Sequence, residues 1–478
     1  SAPDIRSISW PFLNITNVGI ERILYLAEIS RSASVSIYLN TSYIFKYRLT
    51  YHSILSTIVF MNRNLRTSVS LFSGAGFGDM GFEAAGFNHD LLCEIDPSRT
   101  AFTSQNFPNA KVLTVDIAKN VEKINTEIQS LLTKTQEQNL FLLYATPPCQ
   151  GMSKNGIGTI LKAMDGGKRP SVDKRNKLYL PVIEIVKLNK PKWIFFENVC
   201  RLFNFKDIDS NGNIRTLPEI IEDAFYKLGY VGKFELVQIA DYGLPQTRSR
   251  SVGIFRQKEG TNFSENCSFL PPKIIDKPEN RITLRDVISN CESLDSLKHE
   301  TRISEHNSLH LVPKWREELY HWMKHTSEGA SAFDNNECVN CGHINEKDDI
   351  DCSKCNEALP KPTVTKGGKR KKIKGFVSAY KRMYWDKPAS TITTRSAYAS
   401  SDHKAHPNEN RVLSIYEIAL LQGIDIEKVK WTNETGTQFP DTLLRELIGE
   451  SVPPLFTKIV GEHIVKIENE ILLNKKEQ

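Results

Sequence analysis

Val69-Ser-Leu-Phe-Ser-Gly-Ala-Gly-Phe-Gly78 is the stretch on which the fold turns. Its first four residues read as a strand. The glycines at 74, 76 and 78 make a loop whose backbone can approach a ligand closely and tolerate positive φ. A helix opens at Asp79 and runs to Gly86. Strand, glycine turn and helix together form the opening unit of an open α/β sheet. Further strands follow at Leu91–Asp96, Val112–Asp116, Leu140–Tyr144 and Trp193–Phe196, with helices over Ser98–Asn106 and Leu178–Leu188. Val231–Ile239 and Ser251–Phe255 close the series. This alternation predicts an α/β fold, a doubly wound, mostly parallel, Rossmann-like sheet.

Polar residues stand where such strands end. Glu94 lies about 20 residues past the glycine loop, where an acidic side chain commonly binds ribose hydroxyls. Asp116 closes the third strand, placed to meet an adenine amino group. The set points to a nucleoside-containing cofactor, and these residues alone leave NAD open.

Ala145-Thr-Pro-Pro-Cys-Gln-Gly-Met-Ser153 follows the fourth strand. Two prolines stop the ladder, because neither offers an N–H. Cys149 is thereby presented at a strand's carboxyl end, where open sheets bind ligands. A thiolate there is a nucleophile; the bland alternative is an idle cysteine in a loop. Glu197 lies just past the fifth strand, where partial desolvation raises a carboxyl pKa, unless it merely starts a helix. Arg248 and Arg250 are two residues apart and share a face if extended, or are simple surface charge. Together they offer a nucleophile, an acid and cationic donors.

The nine cysteines are not a secreted disulfide framework: four cluster and five are scattered singly. Cys338-x2-Cys341 and Cys352-x2-Cys355, ten residues apart, can deliver four thiolates to one tetrahedral Zn²⁺. The role expected of that zinc ribbon (338–355) is structural, because four thiolates leave no open coordination position. Lys361 to Lys374 then carries seven Lys/Arg and no acidic residue. It is either a solvated linker or a phosphate-contacting segment. The net charge of +6 permits a polyanionic partner without establishing one. No apolar run reaches about 18 residues, so no membrane span is expected, and the first residues lack a signal-peptide pattern.

Residues 1–66 read as an extension of unknown role, with a short helix at Ile20–Ala27 and strand-like alternation over Ser34–Tyr47. Met61 precedes the first strongly patterned strand, so a complete domain can start there. Regular structure fades between 256 and 390. It returns with a helix from Ser414 to Gln422, Ser414 and Glu417 forming a capping box, and a last helix over Leu455–Leu473.

Six ordered motifs carry a resemblance to the cytosine-5 DNA methyltransferases. Phe72-Ser-Gly-Ala-Gly-Phe-Gly78 resembles the family's S-adenosylmethionine loop, and Pro147-Pro-Cys-Gln150 its catalytic loop. Glu197-Asn-Val199 is similar to the acid motif and Gln246-x-Arg-x-Arg250 to the arginine motif. Arg411–Glu417 through Leu421-Gln-Gly423 resembles a late structural motif, and Ile448–Pro454 the C-terminal motif that completes the cofactor site. Glu450 departs from the pattern, which usually has asparagine.

The resemblance implies the S-adenosylmethionine-dependent methyltransferase fold. It implies a catalytic domain over 67–255 completed by 391–478, with a smaller, irregular target recognition domain at 256–390 carrying the zinc ribbon. Contacts to S-adenosylmethionine would come from Phe72, Gly74, Gly76, Gly78, Glu94, Asp116, Pro148, Leu178 and Ser451. Cys149 would attack C6 of a cytosine flipped out of double-stranded DNA. Glu197 would share a proton with N3, Arg250 would hold O2, and Arg248 would support the loop or Glu197. The implied setting is a bacterial cytoplasm, at the nucleoid, as the modification enzyme of a restriction–modification system with a cognate endonuclease encoded alongside. A tRNA cytosine-5 methyltransferase is the alternative, disfavoured by the large insert. A catalytically dead nucleic-acid-binding module is disfavoured by intact Cys149, Glu197 and Arg250.

Overall fold

The computed structural model describes residues 66–137, 139–148, 174–209, 212–376 and 378–476, with the short segments 35–37 and 47–49. They fall in two units, Ser1–Leu65 and Arg66–Gln478. In the first, Val35–Ile37 pairs antiparallel with Tyr47–Leu49, close to the strand-like reading of that stretch. The helix expected at Ile20–Ala27 lies outside the described residues.

The second unit is built on a seven-stranded sheet. In chain order its strands and early helices are β1 (Thr67–Leu71), α1 (Phe77–Ala84), β2 (Asn88–Glu94), α2 (Pro97–Asn106), β3 (Lys111–Thr114), α3 (Val121–Thr135), β4 (Leu142–Ala145), α4 (Tyr179–Asn189), β5 (Trp193–Val199), α5 (Leu217–Lys227), β6 (Tyr230–Gln238) and β7 (Ser249–Gln257). The spatial order is β6-β7-β5-β4-β1-β2-β3. β1 to β5 run parallel. β7 is antiparallel to both β5 and β6.

Every residue of β1 and β4 is buried; β4 reads as a continuous apolar run, while β1 buries small Thr67, Ser68 and Ser70 alongside its apolar residues. Alternate residues still serve different faces. Val69, Leu71 and Leu143 meet Ile124, Ile128 and Leu132 of α3, Val182 and Ile185 of α4, and Ile221 and Phe225 of α5. Leu142 and Tyr144 join Phe82 of α1 and Phe456, Val460 and Ile464 of the last helix.

That last helix, Pro454–Lys476, returns from the far end of the chain to pack on α1. The approach is close: a Cβ on Gly81 would collide with Thr457 and with the backbone of Pro454. Thr457 donates its hydroxyl to the Gly78 carbonyl at 2.7 Å. Further along, Glu468 accepts from Trp193 Nε1 (3.0 Å) and Arg256 Nε (2.7 Å), tying the helix to β5 and β7.

Some boundaries differ from the sequence reading. β3 ends at Thr114, so Asp116 is not strand-terminal; it caps a short 3-10 turn, Ile117–Lys119, by accepting from Ala118 N at 3.2 Å. β5 runs on to Val199 and takes Glu197 into the strand, because β7 continues pairing after β4 has stopped at Ala145. α3 and α5 escaped the reading. α3 buries one stripe of Ile124, Ile128 and Leu132, flanked by Val121 and Leu131, on an otherwise polar helix; α5 opens on a Thr216–Glu219 capping box.

Residues 256–390 hold two α-helices, Leu284–Ile288 and Glu317–Lys324, two 3-10 turns and one hairpin, Thr363–Lys366 with Lys369–Lys372, among the described residues. A small core of Trp315, Trp322, Met323 and Ala332 draws Ala399, Ala405 and Val412 from beyond residue 390. The chain re-enters regular structure at Ile415–Leu421 and Asp441–Glu450, the first opened by the expected Ser414–Glu417 box. No described helix is long and apolar enough to cross a membrane.

Candidate active site

Strand order reverses between β1 and β4, so the loops leaving their carboxyl ends diverge and open a crevice. The glycine loop forms one wall. Gly74 N donates to Glu94 Oε2 at 3.1 Å, and Glu94 Oε1 accepts from Ile95 N (2.8 Å) and Asp96 N (3.0 Å). Three backbone donors thus hold the Glu94 carboxylate at the tip of β2: Oε1 accepts two of them, and Oε2 keeps a lone pair for a further donor. Phe72 and Gly74 both have positive φ, of 60° and 55°. Gly76 also has positive φ, 76°, and close packing further excludes a side chain at both Gly76 and Gly78. A Cβ there would collide with the Phe107 ring and the Tyr144 hydroxyl respectively.

The other wall leaves β4. Thr146 donates its hydroxyl to the Phe72 carbonyl at 2.9 Å, locking the two loops together. Pro147 and Pro148 follow, and Asn198 Nδ2 donates to the Pro147 carbonyl at 3.2 Å. The asparagine of Glu197-Asn-Val199 therefore anchors the proline segment to β5. The sequence reading quoted that residue without giving it a task; a buried polar side chain beside a strand-terminal acid was the available signal. Pro148 is the last residue described before 149–173, so Cys149 lies outside the described residues.

Glu197 is buried and pairs with Arg250, Nε to Oε1, at 2.9 Å across the β5–β7 ladder. Burial pushes its carboxyl above the ordinary value, while the Arg250 and Arg248 charges and the Arg250 hydrogen bond pull the other way. Arg248 binds elsewhere. Its buried guanidinium donates to the carbonyls of Ile392 (2.9 Å), Ser451 (2.7 Å) and Gly449 (3.3 Å). Beside it, Gln246 donates to the Leu421 carbonyl (2.8 Å) and accepts from Ile392 N (3.0 Å). Gln422 completes the net, donating to the carbonyl and hydroxyl oxygens of Ser451 at 2.9 and 3.0 Å. One guanidinium thus touches the acid, and the other joins two returning segments, at Ile392 and at Gly449–Ser451.

Ser451 is reached through that net, and its neighbour Glu450 through another. Arg99 grips Glu450 with two bonds, at 2.6 and 2.9 Å, and also donates to Asp96. A Cβ on Gly74 would point at Glu450 Oε1. Burial raises the Glu450 carboxyl pKa, Arg99 lowers it and Glu94 adds a smaller upward push. Where asparagine was expected, the chain has a carboxylate with its own cation. Leu178, half-buried, stands at the N-terminal end of α4. Asp116, half-buried, pairs with Lys119 at 3.0 Å.

The four clustered cysteines also come together. Their sulfurs all lie within 4.8 Å of one another, with Cys338–Cys355 at 3.5 Å and Cys341–Cys352 at 3.7 Å. A zinc ion with four Zn–S bonds of about 2.3 Å sets its sulfurs roughly 3.8 Å apart, so the donor set fits that ion. The two turns are alike. Cys338 N donates to the His343 carbonyl and Cys352 N to that of Glu357. The residue after each second cysteine, Gly342 or Asn356, takes positive φ, 66° and 60°. Lys354 N and Asn340 Nδ2 aim at Cys352 and Cys355 sulfur, as thiolate acceptors require.

The profile of the C-5 cytosine-specific DNA methylase family matches residues 66–466. The chain is 30% identical over 413 residues to the type II methyltransferase M1.HgaI of Avibacterium volantium, covering 84% of this chain and 99% of the relative. It is 28% identical over 403 residues to the type II methyltransferase M1.HphI of Haemophilus parahaemolyticus, covering 84% of this chain and 87% of the relative. A solved structure described as a prophage-encoded DNA modification methyltransferase from E. coli shares the fold, with a TM-score of 0.52 at 17% identity, covering 84% of this chain and 99% of that one.

Proposed function

The chain belongs to the C-5 cytosine-specific DNA methylase family, and from that membership we propose how this DNA cytosine methyltransferase of the type II restriction–modification kind works. It methylates C5 of a cytosine flipped out of duplex DNA within a specific sequence, through a covalent bond to Cys149. The observation that carries the reading is the buried Glu197–Arg250 pair, set beside the anchored Pro147–Pro148 segment that leads into Cys149.

Cytosine C5 is a weak nucleophile. The Cys149 thiolate adds to C6 and makes C5 electron-rich. Glu197, its pKa raised by burial, holds a proton at N3 and offsets the charge developing in the ring. Arg250 steadies Glu197 and donates to the base O2. Arg248 positions the segments around Ile392 and Ser451 that border the site. Bound S-adenosylmethionine supplies an electrophilic methyl group on sulfur. After C5 takes that methyl, a base removes the C5 proton and the thiolate leaves C6, so Cys149 is regenerated.

The glycine loop, Glu94 and Ser451 suit the methyl donor. The Gly74 backbone, with positive φ and no side chain, can lie close to a ligand, and Glu94 Oε2 has acceptor capacity for a ribose hydroxyl. Phe72, Gly76, Gly78, Asp116, Pro148 and Leu178 complete the proposed contact set. Cys338, Cys341, Cys352 and Cys355 would hold a structural Zn²⁺, with no part in the chemistry. Residues 256–390 act as the target recognition region. A cognate endonuclease is the partner such a modification enzyme protects against.

Bisulfite sequencing of DNA from cells expressing the protein tests the reading. Methylation at C5 within one recurring sequence is the expected result. Methyl transfer to tRNA and none to duplex DNA would overturn it.

A further inference from the structure

The basic run after the cysteine module is a hairpin with two chemically different faces. Its strands, Thr363–Lys366 and Lys369–Lys372, are joined by Gly367-Gly368. Both glycines have positive φ, 59° and 72°, the backbone a two-residue turn of this hand requires. Alternation puts Arg370 and Lys372 on one face and Lys369 and Lys371 on the other.

The first face is a mount. Arg370 pairs with Asp351 at 3.0 Å and Lys372 with Asp348 at 2.9 Å, both in the loop between the two cysteine pairs. Just before the hairpin, fully buried Lys361 donates to the carbonyls of Glu346 (3.2 Å), Lys347 (3.0 Å) and Asp349 (2.8 Å) in that loop. Three of the run's seven basic residues therefore hold the hairpin on the cysteine module.

The second face carries Lys366, Lys369 and Lys371, all exposed. Among the described residues none forms an ion pair, while both basic neighbours on the opposite face do. Lys366 and Lys369 stand directly opposite each other in the ladder. Like charges so placed destabilise a hairpin, and among the described residues no carboxylate pairs with them. A polyanion laid along this face would. A two-stranded ribbon has the width to enter the major groove of duplex DNA. A tip of two glycines has no side chain with which to read a base.

We propose that this hairpin is a ribbon whose Lys366, Lys369 and Lys371 grip the phosphates of duplex DNA irrespective of sequence, leaving base readout to the rest of the recognition region. This rests on the DNA methyltransferase reading above.

The test is duplex binding by the full-length protein and its Lys369→Gln/Lys371→Gln variant, by fluorescence anisotropy from 50 to 200 mM salt. Two duplexes are used, one carrying the methylated sequence and one without it. Each lost phosphate contact removes about 0.9 from the salt slope, so the slope should fall by about 1.8. The wild-type advantage should shrink roughly tenfold over that salt range, equally for both duplexes. Zinc content and S-adenosylmethionine affinity should not change. An unchanged slope, or a loss confined to the duplex with the methylated sequence, overturns the ribbon while wild-type methylation of DNA leaves the enzyme reading standing. A wild type that neither binds nor methylates duplex DNA overturns both.

Discussion

At the carboxyl end of β5 a carboxylate and a guanidinium meet across neighbouring strands; in the cysteine module four sulfurs meet across two turns with no named strand between them. The first meeting is set by sheet register. Once Arg250 lies opposite Val199, and Glu197 opposite Val252, the pair is a geometric consequence of a ladder whose apolar faces bury it. The second has no such frame. The module's own buried core is Cys338, Cys352 and Leu359, with Cys341 packed against it. The comparison teaches that one region can be perturbed at single side chains and keep its shape. The other has little besides its ligands to hold it.

Removal of the nucleophile gives the largest effect expected. Cys149→Ala should abolish methyl transfer to duplex DNA while calorimetry shows S-adenosylmethionine binding within about threefold of wild type, because the thiol's task is covalent and not adhesive. Residual methylation at wild-type rates would remove Cys149 from the mechanism. Next comes Glu197→Gln, which keeps the shape and loses the acid. Its kcat should fall about 10²–10⁴-fold, with little change in melting temperature.

The pH profile sharpens that prediction. Burial raises the Glu197 pKa, so the protonated, active form persists to higher pH than an ordinary carboxyl allows, and activity falls as pH rises through that elevated value. Arg250 lowers it. In Arg250→Ala the alkaline limb should therefore move to higher pH, on a reduced rate. A limb that moves down would show that the pair does not govern the proton.

The cysteine module should respond as a unit. Cys352→Ser, or prolonged chelation, should release one zinc per chain by metal analysis and weaken duplex binding at least about tenfold, since bound metal is folding free energy in so small a module. S-adenosylmethionine affinity should stay as it was. If both affinities fall together, the two regions are not separable and the contrast between them breaks. The smallest effect belongs to Glu450. The Arg99 pair is partly exposed, and such pairs contribute about 1 kcal/mol or less, so Arg99→Ala should weaken cofactor binding no more than about fivefold.

The same contrast explains what could be read from sequence. Apolar runs such as Leu142–Ala145 and Trp193–Phe196 marked buried strands, so Glu94 and Glu197 stood out as acids beside them, although β5 takes Glu197 into the ladder. The four cysteines announced themselves by spacing. What stayed hidden has no period. Residues 317–412 are organised around Arg382, whose buried guanidinium donates to the carbonyls of Thr326 (2.7 Å), Met323 (2.6 Å) and His406 (2.8 Å). Nothing in the spacing of those residues foretells that they converge. The division of labour between Arg248 and Arg250 was hidden for a related reason. They are two residues apart, but Arg248 answers to carbonyls near positions 392 and 450, which only the closed chain supplies. α3 was within reach, since its Ile124, Ile128 and Leu132 recur every four residues.

The hydrogen bond from Thr457 to Gly78 joins residues 379 positions apart. On a ribosome adding about 5–20 residues per second, the two ends of that bond emerge roughly 20–75 seconds apart. Throughout that interval the apolar flank of α1 waits without the helix that covers it, and the glycine loop without the segment around Ser451. A truncated or stalled chain has the Pro147–Pro148 segment but lacks the returning helix that packs on α1. Synthesis itself therefore acts as a timer on modification: only a finished polypeptide is equipped to mark DNA.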